Sequence, residues 1–553
     1  MTIFSSLERK QMKKMFQSNM LDILVIGGGI TGVGIALDAV HRGFRTGLVE
    51  MEDYAFGTSS RSTKLIHGGL RYLKQFDIKL VAEVGKEREI VYENGPHVTT
   101  PEWMMLPFYQ GGTFSPFQTN IGLRVYDFLA GVKKEERRKM LSKEETLEKE
   151  PLLKKENLLG AGYYVEYKTD DARLTMEVLK KAVELGALAL NYTKAIEFLY
   201  DINGKVNGVK VEDQITGEKY PIFAKKIVNA TGPWVDEVRK MDSEIRGKKL
   251  VLTKGVHIVI PKERFPLQQA IYFDNLDGRM IFAIPRSNKT YVGTTDTVYQ
   301  GDISATTVTL ADRKYLIDAI NVMFPTLYIT DEDIESSWAG IRPLIADGSN
   351  QLDEISRKDE IFLSQSGLYS IAGGKLTGYR KMAEQIVNRI VTELKSGGIN
   401  YSPSETKKLT ISGGDVGGSY GFSKFKREKL REGISLNLSE KEAGNLIQTY
   451  GSNVDKVFRL IVEHRVEAEK EKIDIILYAT LLYAMFYEQA YKPTDFFVRR
   501  TGKLFFDIKS VENDKDAVIR VMRKVLQWED AETEKYRKEL QQLILEAKYP
   551  SEN

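Results

Sequence analysis

The sequence predicts an α/β fold followed by a helical C-terminal domain, on three observations. Residues 22–26 (DILVI) read as a short apolar strand of the kind buried in a parallel sheet. A glycine-rich turn, a helix to about His41 and a second strand, Phe44–Glu50, follow it, which makes a βαβ unit. Residues 196–230 then read as a hairpin and a further strand, with turns at Asn203-Gly204 and Thr216-Gly217, and residues 250–300 add VHIVI, RMIFAIP and TYVGTTD. From about residue 396 the chain turns charged and amphipathic with few turn signals, so 438–450, 453–470 and 528–547 read as helices.

Composition limits the function classes. The 553 residues suit three or four folding units, and 42% hydrophobic with 28% charged residues excludes a fibrous or wholly disordered chain. A formal charge of +3, from 80 basic and 77 acidic residues, predicts no nucleic-acid partner. The absence of cysteine removes disulfides, thiolate nucleophiles, Cys-ligated metals and cysteinyl cofactor links, and makes a reducing cytoplasm the simplest home. His41, His97 and His464 do not cluster with carboxylates at metal spacing, so no metal is predicted. Ile475–Tyr487 is uncharged but too short to span a bilayer, and reads as a buried core helix. Residues 133–150, with seven basic and six acidic side chains, read as a solvated helix. In residues 1–20, Phe4, Leu7, Met12, Met15 and Phe16 fall on one side of a helical wheel and Arg9, Lys10, Lys13 and Lys14 on the other. The favoured reading is a helix packed on its own domain or a frayed terminus; the alternative is peripheral contact with the cytoplasmic face of the membrane.

The strongest local signal is Gly27-Gly28-Gly29-Ile30-Thr31-Gly32, a G-x-G-x-x-G after a strand and opening a helix. Gly27 permits the turn, Gly29 lets the backbone approach a pyrophosphate, Gly32 lets helix and sheet pack closely, and the helix N-terminus presents N–H groups to phosphate. Glu50 closes the next strand, where an acid binds a ribose hydroxyl and disfavours a 2′-phosphate. NAD and FAD both fit these residues. Ile227–Gly232 resembles the segment that returns to the nucleotide in two-dinucleotide-binding flavoproteins, and Ala372–Thr377 resembles the loop that closes over their flavin. With no second G-x-G-x-x-G in strand context, non-covalent FAD is the predicted cofactor. The expected architecture is therefore an FAD-binding Rossmann-like domain of the glutathione-reductase type (residues 1–95, 150–245 and 336–395). It is interleaved with a mixed-sheet substrate domain (96–149 and 246–335) and followed by a helical C-terminal domain (396–553).

Several further segments occur in order: Ser59-Ser60, Lys64–Leu73 (KLIHGGLRYL), Asp170–Leu174, Asn229–Trp234 (NATGPW), Lys254–Val259 (KGVHIV), Gly293–Asp296 (GTTD), Gly340–Leu344 (GIRPL), Gly373–Arg380 (GGKLTGYR) and Asp495–Gly502. Together they resemble the FAD-dependent glycerol-3-phosphate dehydrogenase family. The resemblance implies oxidation of sn-glycerol 3-phosphate to dihydroxyacetone phosphate, with hydride passing from the secondary carbon to flavin N5 and electrons going on to a quinone or another acceptor. It implies that Arg71, Tyr72, His257, Arg342 and Lys375 line the substrate site, with Arg357 a less sharp match. The same motifs place Gly27, Gly29, Ile30, Thr31, Gly32, Glu50, Ser59, Ser60, Lys64, Leu65, His67, Gly68 and Gly69 on the cofactor. Ala230, Gly232, Asp296, Gly340, Gly374, Lys375, Leu376 and Thr377 join them. The chemistry agrees: a phosphate monoester carries nearly two charges, and guanidinium forks bind its oxygens bidentately. His257, Arg342 and Lys375 are the expected catalytic residues. His257 is the candidate base because imidazole titrates near neutrality; Arg342 or Lys375 polarising the hydroxyl is the alternative. His67 reads as packing near the flavin. Two other readings stand beside the dehydrogenase: an oxidase of the same fold that releases hydrogen peroxide, and a non-catalytic FAD-binding partner protein. A homodimer stays open.

Overall fold

The computed structural model describes residues 4–67, 78–129, 136–245, 247–346, 359–395 and 401–552. Two sheets organise the first 395 residues. In the first, Leu21–Ile26 lies between Thr46–Val49 and Lys219–Asn229, parallel to both, and Leu188–Leu190 and Tyr369–Ala372 extend it in the same sense. Leu21–Ile26 is buried along its whole length, as a strand covered on both faces requires. Ile23 and Val25 pack against the helices Ile30–His41, Asp171–Glu184 and Tyr379–Lys395; Leu21, Leu24 and Ile26 pack with the Thr193–Tyr200/Val206–Asp213 hairpin. The glycines of the two expected turns, Gly204 and Gly217, both have positive φ.

The second sheet is mixed. Its central strand, Lys249–Pro261, pairs antiparallel with Lys289–Gly293 on one side and with Ser336–Ala346 on the other. Thr99–Tyr109 pairs antiparallel with Leu158–Thr169 and parallel with Ala270–Asp274. Here the assignment by residue range changes: Leu158–Thr169 and Ser336–Ala346, expected within the nucleotide-binding portion, are hydrogen-bonded into the second sheet. Ser336–Ala346 runs in continuous register from Val259↔Ser336 to Lys249↔Ala346.

The helix expected over 133–150 is confined, among the described residues, to Lys143–Lys149, where Ser142 and Glu145 form a capping box. The residues just before it, Lys139–Leu141, join the second sheet instead. Beyond residue 401 the described elements are helical. Gly418–Ser435, Glu440–Tyr450, Val454–Glu463, Ile475–Tyr487, Ile508–Leu526 and Asp530–Lys548 pack around a core that continues into the second sheet through Tyr291 and Trp338, and Ile475–Tyr487 runs through it. Among the described residues no helix is long and apolar enough to cross a membrane.

The N-terminal helix Arg9–Ser18 packs on its own chain. Phe4, Met12 and Phe16 are buried, Arg9 donates to Asn191 Oδ1 (2.6 Å), and Lys13 meets Asp213 (3.0 Å) and Glu218 (2.6 Å). Much of the apolar stripe, and half of the basic face, is thus spent on intramolecular contacts.

Candidate active site

A cavity of ≈ 510 Å³ opens between the two sheets. At one end it is lined by Gly27, Gly29, Ile30, Thr31 and Glu50. Gly32 lies just behind this wall, and a Cβ there would collide with the carbonyl of Gly27. Ser59 Oγ accepts from the Ile30 amide (2.9 Å) at the start of the helix. Glu50 Oε2 accepts from Gly28 N (2.6 Å) and Oε1 from Glu52 N (3.0 Å). Burial pushes the Glu50 carboxyl up, these two amides oppose it, and the balance sits at about 7.

The lining continues through Ala230–Trp234 to Ala372–Thr377. Lys375 precedes the turn Leu376–Gly378 that leads into the helix Tyr379–Lys395, so a second helix N-terminus meets the cavity. Thr377 Oγ1 donates to the carbonyl of His67, whose ring lies 6.0 Å from that of Phe282. An acid at a strand end, a glycine turn too tight for a side chain and two helix starts along one cavity are the donor set a dinucleotide needs, and FAD fits it.

The second sheet supplies the other wall. Arg342 donates to Asp296 Oδ1 (3.2 Å), to the carbonyl of Thr295 (3.3 Å) and to Thr294 Oγ1 (2.8 Å), and its side chain remains 27% exposed. The motif glycine Gly255 makes room for it: a Cβ there would run into the guanidinium and come within 2.6 Å of Thr294 Oγ1. His257 lies two residues further along the same strand, 1% exposed, stacked on Trp338 at 4.8 Å, with Nε2 3.0 Å from Thr63 Oγ1. Its Nδ1 finds no hydrogen-bond partner among the described residues. Burial, then the charges of Arg342 and Lys64, hold the imidazole well below its ordinary value, so it is neutral at pH 7.

Most of the residues expected from sequence meet here. His257, Arg342, Lys375, Gly27, Gly29, Ile30, Thr31, Glu50, Ser59, Leu65, His67, Ala230, Gly232, Asp296, Gly340, Gly374, Leu376 and Thr377 all line the cavity. Asp296 does so as the partner of Arg342. Ser60 and Lys64 are not in the lining. The Lys64 ammonium is buried on Asp171 Oδ1 (2.5 Å) and the carbonyl of Ser60 (3.0 Å), which fixes the loop rather than a ligand. Gly68, Gly69, Arg71, Tyr72 and Arg357 lie outside the described residues. Sequence reasoning did not single out Thr63, Thr294 or Arg61. Thr294 was visible inside GTTD; Thr63 shows only through a partner 194 positions away.

Comparison with known proteins decides the family. A profile of FAD dependent oxidoreductases matches residues 22–380, and one of the C-terminal domain of alpha-glycerophosphate oxidase matches 404–533. Aerobic glycerol-3-phosphate dehydrogenase of Bacillus subtilis is 58% identical over 550 residues, covering 99% of both chains. The chain belongs to the FAD-dependent glycerol-3-phosphate dehydrogenase family. The enzyme of the same name from Staphylococcus aureus is 58% identical over 547 residues, 99% of this chain and 98% of its own. The crystal structure of the glycerol-3-phosphate dehydrogenase from Bacillus halodurans complexed with FAD superposes with a TM-score of 0.86, at 48% identity and 99% coverage of each chain. An L-alpha-glycerophosphate oxidase from Mycoplasma pneumoniae shares the fold at 17% identity, with a TM-score of 0.55 over 70% of this chain and 97% of its own.

Proposed function

We propose that this protein oxidises sn-glycerol 3-phosphate to dihydroxyacetone phosphate and passes the electrons to a quinone or another acceptor. The observation that carries the reading is 58% identity over nearly the whole chain to aerobic glycerol-3-phosphate dehydrogenases. The cavity supports it by bringing His257, Arg342 and Lys375 together. When bound, FAD supplies the two-electron chemistry, taking hydride from the substrate's secondary carbon at flavin N5.

The chain's own residues bind and activate the substrate. Arg342, oriented by Asp296 and Thr294, offers a planar fork to phosphate oxygens or to the reacting hydroxyl. Lys375 adds a point charge for the phosphate or for the oxygen that develops negative charge as the hydroxyl loses its proton. Neutral His257 accepts that proton. Its basicity is held down in part by Arg342, so an arriving phosphate dianion offsets that charge and strengthens the base when substrate is present. Arg71, Tyr72 and Arg357 are assigned to the same substrate on their motifs.

We place the reaction on the cytoplasmic side of the membrane, where a lipid-soluble acceptor is within reach. Burial of Phe4, Met12 and Phe16 on their own domain supports an N-terminal helix that serves the fold rather than that contact. The test is an anaerobic titration: glycerol 3-phosphate should bleach the flavin band near about 450 nm, and an unbleached spectrum defeats every catalytic reading. Reoxidation by a quinone analogue without peroxide supports the dehydrogenase; stoichiometric peroxide under air would replace it with an oxidase.

A further inference from the structure

No described residue beyond Met382 lines the cavity, yet the C-terminal domain grips a loop that does. Met51, Phe56, Gly57, Thr58 and Ser59 face the cavity. On its inner side this loop is tied to the glycine turn: Ala55 N donates to the carbonyl of Gly28 (3.0 Å), and Ser59 Oγ accepts from Ile30 N. The Tyr54 ring lies so close to Gly28 that a Cβ there would be 2.7 Å from it.

On its outer side the same loop enters the helical domain. Asp53 accepts from both terminal nitrogens of Arg500 (2.8 Å each), from Arg499 Nε (2.5 Å) and from Asn191 Nδ2 (3.2 Å). Tyr54 Oη donates to Gln489 Oε1 at 2.8 Å. Asp53, Tyr54 and Gln489 are fully buried, and Arg499 and Arg500 nearly so. Arg499 also stands over the ring of Phe56, 5.7 Å from its centroid. Burial pushes the Asp53 carboxyl up, but Arg500 and Arg499 bring it down to about 2, so it is charged across the working pH range.

A charged carboxylate sealed between two guanidinium groups cannot slip without stranding a buried charge. The loop and the C-terminal domain therefore hold one geometry together. We infer that Asp53, Tyr54, Arg499 and Arg500 are positioning residues for FAD: docking of the C-terminal domain sets the 51–59 loop in its binding shape, and affinity for FAD depends on side chains outside the cavity. This rests on the cavity being the FAD site.

The test compares the full-length protein with Asp53→Asn, Tyr54→Phe and Gln489→Leu. Tyr54→Phe removes only the neutral hydrogen bond to Gln489, and Gln489→Leu removes that bond together with the neutral one from Gln489 Nε2 to the carbonyl of Ala189. Proteins stripped of flavin are titrated with FAD by fluorescence, and melting temperatures are taken with and without saturating FAD. The expected result is a Kd for FAD raised about tenfold in Asp53→Asn and about threefold in Tyr54→Phe and Gln489→Leu. The gap between the two melting temperatures should shrink in parallel. KM for glycerol 3-phosphate at saturating FAD should stay within about twofold. A clasp that only stabilises the fold would lower both melting temperatures together and leave the gap and the Kd unchanged; that result, even from Tyr54→Phe and Gln489→Leu alone, overturns the inference. Failure of the unaltered protein to bind FAD would overturn the cofactor reading itself.

Discussion

Two regions of this molecule set arginines against carboxylates and use the pairing in opposite ways. In the cavity, Arg342 and Asp296 keep 27% and 30% of their side chains exposed. Beneath the 51–59 loop, Arg173, Lys180, Arg499 and Arg500 face Glu177, Glu488, Asp53 and Asp495, none more than 5% exposed. The second set places four basic side chains against four acidic ones, and none of the eight lines the cavity. An exposed pair contributes about 0–1 kcal/mol, so its arginine can turn to an incoming anion at little cost. A sealed one holds elements together, because losing a partner leaves a buried charge. Solvent access, more than pair geometry, separates recognition from cohesion here.

The largest effect should come from the sealed cluster. Arg173 reaches Glu177, Glu488 and the carbonyl of Arg500. Arg173→Leu should cost roughly 3–5 kcal/mol of stability, read as a lower melting temperature, while KM for glycerol 3-phosphate stays within about twofold. Arg342→Ala should do the reverse: kcat/KM falls about 10²–10³-fold, or roughly 3–4 kcal/mol, with FAD content and melting temperature close to those of the parent. If Arg173→Leu raised KM and spared stability, the contrast between the two regions would be wrong.

How far the sequence reveals this molecule depends on how local each signal is. The βαβ unit, the hairpin ahead of Lys219–Asn229 and the helix Ile475–Tyr487 are written in adjacent residues, and they appear where periodicity places them. The glycine turn with Glu50 is legible for the same reason. Ser336–Ala346 shows the limit, since an apolar strand pattern states that it is buried but not which sheet buries it. Lys64 shows another: a lysine inside a binding motif looks the same whether its ammonium meets a ligand or, as here, an aspartate 107 positions later. The helical wheel of residues 1–20 finds an apolar stripe but not its cover, which for the helix Arg9–Ser18 is largely Leu188–Leu190 and Lys219–Asn229. The eight-charge cluster was invisible because its members come from three distant segments, Asp53, 173–180 and 488–500.

A smaller effect isolates orientation from charge within the cavity. Gly255→Ala keeps every cation, and the backbone at 255 needs no left-handed conformation, but the added methyl displaces the Arg342 guanidinium and crowds Thr294. Because the displaced group is the far end of a flexible side chain, folding should be preserved. KM should rise about tenfold, roughly 1.4 kcal/mol, with melting temperature unchanged. An unaltered KM would mean that charge alone, without the fork held by Asp296 and Thr294, suffices for recognition.

The smallest effect tests the edge of the sealed cluster. His97 is 3% exposed, and neither ring nitrogen has a hydrogen-bond partner among the described residues. Burial first, then Lys180 and Arg173, hold its pKa down to about 3, against 6.5 for a free imidazole. The unfolded chain thus takes up the proton first. Stability tied to neutral His97 is complete above pH 6.5 and declines as the pH falls toward about 3. Between pH 7.5 and 6 the loss should be roughly 0.8 kcal/mol. In His97→Leu that increment should vanish, so the fall in melting temperature over this range becomes smaller than in the parent. His257, also held neutral by burial, stays in both proteins and cancels from the comparison. Equal acid sensitivity in parent and variant would mean that His97 takes up its proton as readily inside the fold as in the unfolded chain, so that neither burial nor the cations Lys180 and Arg173 hold it neutral.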